Sequence, residues 1–177
     1  MAGFYVDDQQ VWDLGTVNLT CLLADLSGGT MVELTPLLVR YRKAKETLAA
    51  IVAEIDAADV CRECAGQCCQ NGKYRINLLD ILARIAAQIP TSTDFFQKPL
   101  CPYGCDTGCT MEPGMRPADC VLFVCDAIYR KLSQQSRLDL AAEEQVLREC
   151  IHAASRLTGE PMGTPLLIWA EKGDKSN

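Results

Sequence analysis

The sequence predicts a mainly α-helical single domain over residues 1–177, organised around a cysteine-rich region at residues 61–125. Apolar residues recur every three or four positions in several segments, which is the pattern of helices that bury one face. Four of the eleven cysteines crowd into residues 61–69, where core packing gains nothing from them. Both ends of the chain, residues 1–34 and 171–177, are expected to be peripheral, and the second is polar and loose.

The N-terminal segment carries a weak strand pattern. Its alternating apolar residues are Val17, Leu19, Cys21 and Leu23. A turn signal, Ser27-Gly28-Gly29, follows them, so the pattern predicts a short hairpin. We interpret Cys21 as a small buried residue.

The first helix is predicted from Thr35 to about Asp59. Thr35 supplies a capping hydroxyl and Pro36 suits the first helical position. The apolar face comprises Leu37, Tyr41, Ala44, Leu48, Ile51, Val52 and Ile55. The charged residues off that face, expected in solvent, are Lys43, Lys45, Glu46 and Glu54.

Three further helices are predicted beyond an Asn71-Gly72 turn. One is an apolar stripe from Leu78 to Ile89 that Pro90 ends, one opens at Pro117 and continues to Leu132, and the last covers about 137–158. Gly159 suits the end of the last helix, and Cys150 lies on its buried face. The loop at residues 90–119 is long for a compact domain, so we expect something other than a hydrophobic core to order it.

Charge and hydropathy disfavour two classes of partner. The net charge is −6 and the basic residues are scattered, so no basic stripe is present to bind nucleic acid or an anionic membrane. The apolar runs are too short to cross a bilayer, and the first residues lack the pattern of a secretory signal. The expected location is the cytoplasm.

The cysteine spacing indicates a metal site. Clustered cysteines in a reducing compartment are more often metal ligands or redox groups than disulfides, and their number is odd. Short spacings let one turn present two thiolates, and two such pairs from distant segments can close a tetrahedral site. Cys120 and Cys125 would lie about 140° apart on a regular helix, so we expect Cys120 at the helix entry.

The cysteine blocks resemble those of the YkgJ-type cysteine-cluster family, which is described as a zinc- or iron-chelating domain. The matching blocks, over about residues 61–125, are Cys61-x2-Cys64-x-Gly-x-Cys68-Cys69, Cys101-Pro102, Gly108-Cys109-Thr110-Met111, Arg116-Pro117-x2-Cys120 and Cys125. The resemblance implies eight metal ligands: Cys61, Cys64, Cys68, Cys69, Cys101, Cys109, Cys120 and Cys125. Cys105 is extra to the pattern. Some family members are attached to protein-lysine methylation with an iron–sulfur centre implied, but no glycine-rich cofactor loop after a strand is found here.

The ligand chemistry leaves two kinds of centre open. Thiolate ligands suit zinc or an iron–sulfur cluster, and four cysteines would satisfy either one zinc ion or one 4Fe–4S cluster. Eight cysteines could hold two centres. The single histidine, His152, is expected on a helix face outside the site.

Three functions follow from such a site. The first is a metal-binding module that folds around its centre and either meets a protein partner or passes electrons. The second is a metal-dependent enzyme or a component of a methylation-linked system. In such an enzyme Glu63 or Glu112 could act as a base, but we interpret both as surface carboxylates. The third is a thiol redox protein using Cys61 and Cys64, which the helical flanks disfavour. Whether the chain is an enzyme, and its oligomeric state, stay open.

Overall fold

α-Helices make up most of the described chain, which confirms the predicted mainly α class. The computed structural model describes residues 3–55, 57–63, 70–98, 101–105 and 108–174. In these ranges the helices are α1 Gly3–Asp25, α2 Gly28–Ala53, α3 Ala57–Glu63, α4 Leu78–Ala86, α5 Ala118–Leu122, α6 Asp126–Tyr129, α7 Gln134–Thr158 and α8 Leu166–Asp174. Two short strands, β1 Gly104–Cys105 and β2 Gly108–Cys109, pair antiparallel.

The N-terminal segment is a helix, so the predicted hairpin is wrong. Trp12, Gly15 and Leu19 are buried at spacings of three and four residues, and this helical pattern outweighs the short alternation. Trp12 and Leu19 are 0% exposed, so α1 belongs to the core and not to the periphery. A Cβ on Gly15 would lie 2.8 Å from Leu166 of α8, which shows how closely the two helices approach. Cys21 is exposed, contrary to the prediction that it is buried.

The second helix begins about two turns before its predicted start. The Ser27 side chain accepts a hydrogen bond from the Thr30 N–H at 3.1 Å, so the residues that suggested a turn form a helix cap. Pro36 therefore lies inside α2 instead of at its first position. The helix ends at Ala53, and the residues predicted to continue it form the separate helix α3, which carries Cys61.

The helix predicted from Pro117 to Leu132 is divided into α5 and α6. Pro117 occupies the N-cap position of α5, and Cys125 occupies that of α6. Phe123 between them has an extended backbone, and Asp126 in the first turn of α6 suits the positive end of a new helix. The angle of about 140° expected between Cys120 and Cys125 on one helix therefore does not apply.

The two other predicted helices are confirmed. A capping box between Asn77 and Asp80 opens α4, which ends at Ala86, before Pro90. Gly159 ends α7 with a φ of 75°, in the left-handed region that favours glycine. Cys150 is buried in α7, as predicted.

The tail is more ordered than predicted. α8 extends to Asp174, so the first part of the expected loose segment is helical, and residues 175–177 lie outside the described residues. α8 packs on α1, while α2 packs along α7.

The first part of the 90–119 loop is held by α1. The Trp12 indole N–H donates to the Thr91 carbonyl at 3.0 Å, and the Phe95 N–H donates to the Gln9 side chain at 3.1 Å. The Trp12 and Phe95 rings meet edge to face with centroids 5.4 Å apart. The hydrophobic core therefore orders this part of the loop, and the expectation that the core cannot do so is wrong for these residues.

A buried carboxylate joins three segments of the chain. Asp80 is 2% exposed and sits at the start of α4. Its oxygens accept hydrogen bonds from Tyr41 Oη at 3.0 Å, Lys45 Nζ at 2.9 Å, the Asn77 N–H at 3.2 Å and the Ala118 N–H at 3.2 Å. Burial raises the pKa of Tyr41 well above its usual value, so the phenol remains a donor. The network connects α2, α4 and α5.

Lys45 is fully buried, so its predicted place in solvent is wrong. Besides Asp80, its ammonium group donates to the Arg116 carbonyl at 3.0 Å. Lys45 and the Ala118 N–H together fix the Arg116–Ala118 turn, which leads directly into the helix that carries Cys120. The interaction therefore positions one of the predicted ligands.

We expect Lys45→Met to lower the free energy of unfolding by about 3–5 kcal/mol, because it leaves the Asp80 carboxylate buried without its cation. Lys43→Met is the matched control on the same helix, since Lys43 is 75% exposed, and it should change the stability by less than about 0.5 kcal/mol. Urea denaturation of both variants gives the comparison. Equal effects of the two substitutions would contradict a structural role for the buried pair.

Candidate metal centre

Five of the eight predicted ligands lie in the described part of the chain. They are Cys61 in α3, Cys101 before β1, Cys109 in β2, Cys120 in α5 and Cys125 before α6. The other three, Cys64, Cys68 and Cys69, lie outside the described residues. Cys109 is exposed, and the remaining four are partly buried.

Helix α3, which carries Cys61, lies beside two elements of the second cysteine region. It packs against β2, which carries Cys109, and against α6, whose N-cap is Cys125. Cys61 belongs to this helix, and the segment with Cys64, Cys68 and Cys69 follows it directly in the sequence. Cys61 therefore belongs to a helix that neighbours the elements carrying Cys109 and Cys125, although more than forty residues separate them in the chain.

Among the described residues alone, no group of three or more cysteine, histidine, aspartate or glutamate side chains is arranged to hold a metal ion.

The Cys101 sulfur lies in a cradle of backbone. The nearby backbone N–H groups of Tyr103, Gly104 and Gly72 oppose part of the rise that burial causes in the pKa of its thiol. A Cβ on Gly72 would lie only 2.5 Å from Cys101 Sγ, so this close approach requires glycine. Hydrogen bonds from backbone N–H groups stabilise a thiolate, and in metal sites such bonds orient and tune the ligand.

The short ribbon brings Cys109 to the same place. Gly104 pairs with Cys109, and the Thr110 N–H donates to the Tyr103 carbonyl at 2.9 Å. The Gly104 N–H also donates to the Cys101 carbonyl at 3.2 Å, which closes the turn before the ribbon. Cys101 and Cys109 are close enough for their charges to interact. The ribbon therefore brings the backbone of Cys109 next to the turn that follows Cys101.

The surroundings of Cys101 raise the pKa of its thiol. Burial raises the pKa of this thiol, the charge of Cys109 raises it further, and the backbone donors only partly oppose them. A reactive cysteine needs a lowered pKa, so Cys101 is not an activated nucleophile. A bound metal ion would displace the proton outright.

The groups predicted to have no role at the site are on the surface. Glu112 is 74% exposed and pairs with Arg42 at 3.5 Å, and Glu63 is also exposed. His152 is exposed on α7. These positions agree with the interpretation of all three as surface residues. Cys105, extra to the family pattern, is exposed in β1.

Three residues that shape this region were not singled out from the sequence as part of the site. Gly72 was interpreted only as part of a turn, whereas it also makes room for Cys101. Tyr103 lies inside the Cys101–Cys105 turn, and its burial raises the pKa of the phenol to about 12. Arg84 lies over the Tyr103 ring, with the guanidinium carbon 5.2 Å from the ring centroid. The Cys101-Pro102-Tyr103-Gly104-Cys105 sequence was the available signal, since proline and glycine mark a tight turn between two cysteines.

Comparison with known proteins adds no relative. No family model, curated protein or solved structure matches this chain. The resemblance to the YkgJ-type family therefore rests on the spaced cysteine blocks alone. In the part of the chain that the structure describes, no helix combines the length and apolar character needed to cross a membrane.

We expect Gly72→Ala to destabilise the protein by about 1–3 kcal/mol, because the new methyl group overlaps the Cys101 sulfur and forces it to move. Gly28→Ala is the matched control, since a Cβ at Gly28 meets nothing within 4 Å. Chemical denaturation of the two variants provides the measurement. A Gly72→Ala protein as stable as Gly28→Ala would show that the close approach at Cys101 is not a constraint.

Proposed function

We propose that this chain binds a metal centre through cysteine thiolates, either an iron–sulfur cluster or zinc, and acts as a structural, electron-transfer or partner-binding module. The eight ligands would be those that the sequence indicates: Cys61, Cys64, Cys68, Cys69, Cys101, Cys109, Cys120 and Cys125. The observation that carries the proposal is the close approach of Gly72 to the Cys101 sulfur, in the turn that leads into the ribbon.

The donor set fits a soft metal centre. The ligands at hand are thiols, which suit zinc and iron–sulfur clusters and do not suit magnesium or calcium. Gly72 leaves room for the Cys101 sulfur, and the ribbon pairs Cys109 with Gly104, three residues after Cys101. A reducing compartment such as the cytoplasm would keep these thiols available.

The arrangement also gives the centre a structural role. Residues of the ribbon are largely exposed, including Cys105, Cys109 and Thr110, so the hydrophobic core does little to hold them. A metal bound by both cysteine regions would tie α3 to the ribbon and to α6. A structural zinc ion supplies about 10–16 kcal/mol of apparent binding energy, which is comparable to the stability of a whole domain.

Two exposed aromatic side chains support a protein partner. Phe123 is 52% exposed and Tyr129 is 45% exposed, and they lie on either side of Cys125. Aromatic residues are enriched at protein–protein interfaces, where they bury large areas. A partner that covers them would lie beside the metal centre, at a place suited to electron transfer or to assembly. The acidic net charge and the absence of a basic stripe do not suit nucleic acid.

The test is metal and acid-labile sulfide analysis of protein purified without oxygen, together with its visible spectrum. Iron with sulfide and a brown colour identify an iron–sulfur protein, while about one or two zinc ions without colour identify a structural zinc protein. We expect Cys101→Ser to lose most of the metal and to be less stable, because the cradled ligand is gone.

Cys21→Ser is the matched control, since Cys21 is exposed on α1 and belongs to neither cysteine region. It should keep the full metal content. Wild-type protein without metal, or a Cys101→Ser variant with full metal content, would refute the proposal.

A further inference from the structure

Helix α2 carries apolar side chains on its solvent face as well as on its buried face. A surface helix normally presents polar residues to solvent. On α2, however, Val32 is 75% exposed and Val39 is 65% exposed, and Pro36 between them is exposed as well. These residues follow one another at spacings of four and three, so they share one face of the helix. They form an apolar stripe that stays in solvent in the described part of the chain.

A shallow groove runs along this stripe between α2 and α7. One part of it is lined by α2 from Pro36 to Thr47 and by the first half of α7, at Glu143 and Val146. The other part is lined by earlier residues of α2 and by the second half of α7, beginning at Ala153. Pro36 lines both parts, so the groove is continuous. The order of the lining residues shows that the two helices run antiparallel.

Four charged side chains alternate in sign around the groove. At one end, Glu33 of α2 lies across the groove from Arg156 of α7. At the other end, Lys43 of α2 lies across from Glu143 of α7. Each helix therefore has one acidic and one basic residue, and the acidic end of α2 lies beside the basic end of α7.

The four charges are placed evenly about one level of the helix pair. The two on α2 are equidistant in sequence from Leu38, and the two on α7 are equidistant from the Glu149–Cys150 peptide bond. The Arg40 guanidinium donates to the Glu149 carboxylate at 2.7 Å, which sets these two levels side by side. A two-fold axis at this level, in the plane of the face and perpendicular to the helices, would turn the pair end for end.

Such an axis would match the face with itself. Glu33 would lie opposite Lys43 of a second copy, and Glu143 would lie opposite Arg156 of that copy. The exposed apolar residues, which belong mostly to α2, would then meet those of the second α2. Two-fold dimers are the commonest oligomers, and their interfaces are self-complementary in this way. The charge pattern therefore suits a second copy of this chain.

The face is also large enough for a stable dimer. Helix α2 has 26 residues and α7 has 25. Two helices of this length side by side present a face about 39 Å long and about 20 Å wide, and covering it in both copies would bury on the order of 1,500 Å². Specific protein interfaces bury about 1,200–2,000 Å² in total.

We infer that the exposed face of α2 and α7 is the docking surface for a second copy of this chain, with the two copies of α2 packed antiparallel. The inference goes beyond the proposed function and does not rest on it, because none of the described residues that line the groove is a cysteine. A dimer of this kind would form with or without a metal centre.

The experiment is analytical ultracentrifugation of the full chain over a range of concentrations. We expect the wild type to be a dimer that dissociates on dilution. Val39→Glu should weaken dimerisation by about 100-fold or more, because it places a carboxylate from each copy in the apolar contact. Val17→Glu is the matched control, since Val17 is 58% exposed on α1, outside the groove. It should dimerise as the wild type does.

A charge exchange tests the antiparallel pairing. Glu33→Lys should weaken dimerisation by about 10-fold at low salt, because it sets like charges opposite each other twice in the dimer. Adding Lys43→Glu restores opposite charges at both places and returns the net charge to that of the wild type. The double variant should recover most of the wild-type affinity. Both residues are exposed, so circular dichroism should show an unchanged helix content.

Three results would overturn the inference. A wild type that stays monomeric at every concentration would leave the groove to another protein or segment. A dimer that Val39→Glu weakens no more than Val17→Glu would use a different surface. A double variant that recovers no affinity over Glu33→Lys would exclude the antiparallel contact between the two copies of α2. If Val39→Glu does not fold, the charge exchange decides alone.

Discussion

The fold depends on the buried carboxylate of Asp80. It gathers a lysine and a tyrosine from α2, the capping backbone of α4 and the first N–H of α5 around a single acceptor group. These segments are far apart in the chain, and apolar contacts alone would allow them to slide. Directional hydrogen bonds to one charge fix their relative positions, and losing one partner would leave a charge in the interior.

The same network explains how a helical core can support a cysteine-rich edge. It fixes the Arg116–Ala118 turn, from which α5 carries Cys120. On the other side α4 presents Arg84 toward Tyr103 and the Cys101 turn. The core thus fixes the residues from which the cysteine segments begin. A shared metal would hold the exposed ribbon in place.

The amphipathic helices could be predicted from the sequence because burial imposes a spacing of three and four residues. This spacing predicted α7 and the burial of Cys150, and Gly159 indicated where the helix ends. Lys45 was wrongly predicted to lie in solvent, because a charged side chain is expected at the surface unless a buried partner is known. The partner here is Asp80, which the sequence does not place beside Lys45. The hairpin prediction was wrong because it followed a short alternation of apolar residues and not the helical spacing of Trp12 and Leu19. The Cys101 cradle could not be predicted, since Gly72 meets it only through the tertiary fold.

We propose that thiolates of both cysteine regions bind one kind of metal centre. X-ray absorption spectroscopy at the edge of the metal found in the purified protein tests it most directly, because it reports the ligand atoms and their distances. We expect a first shell of sulfur atoms at about 2.3 Å from the metal. A first shell dominated by nitrogen or oxygen at about 2.0–2.2 Å would contradict it.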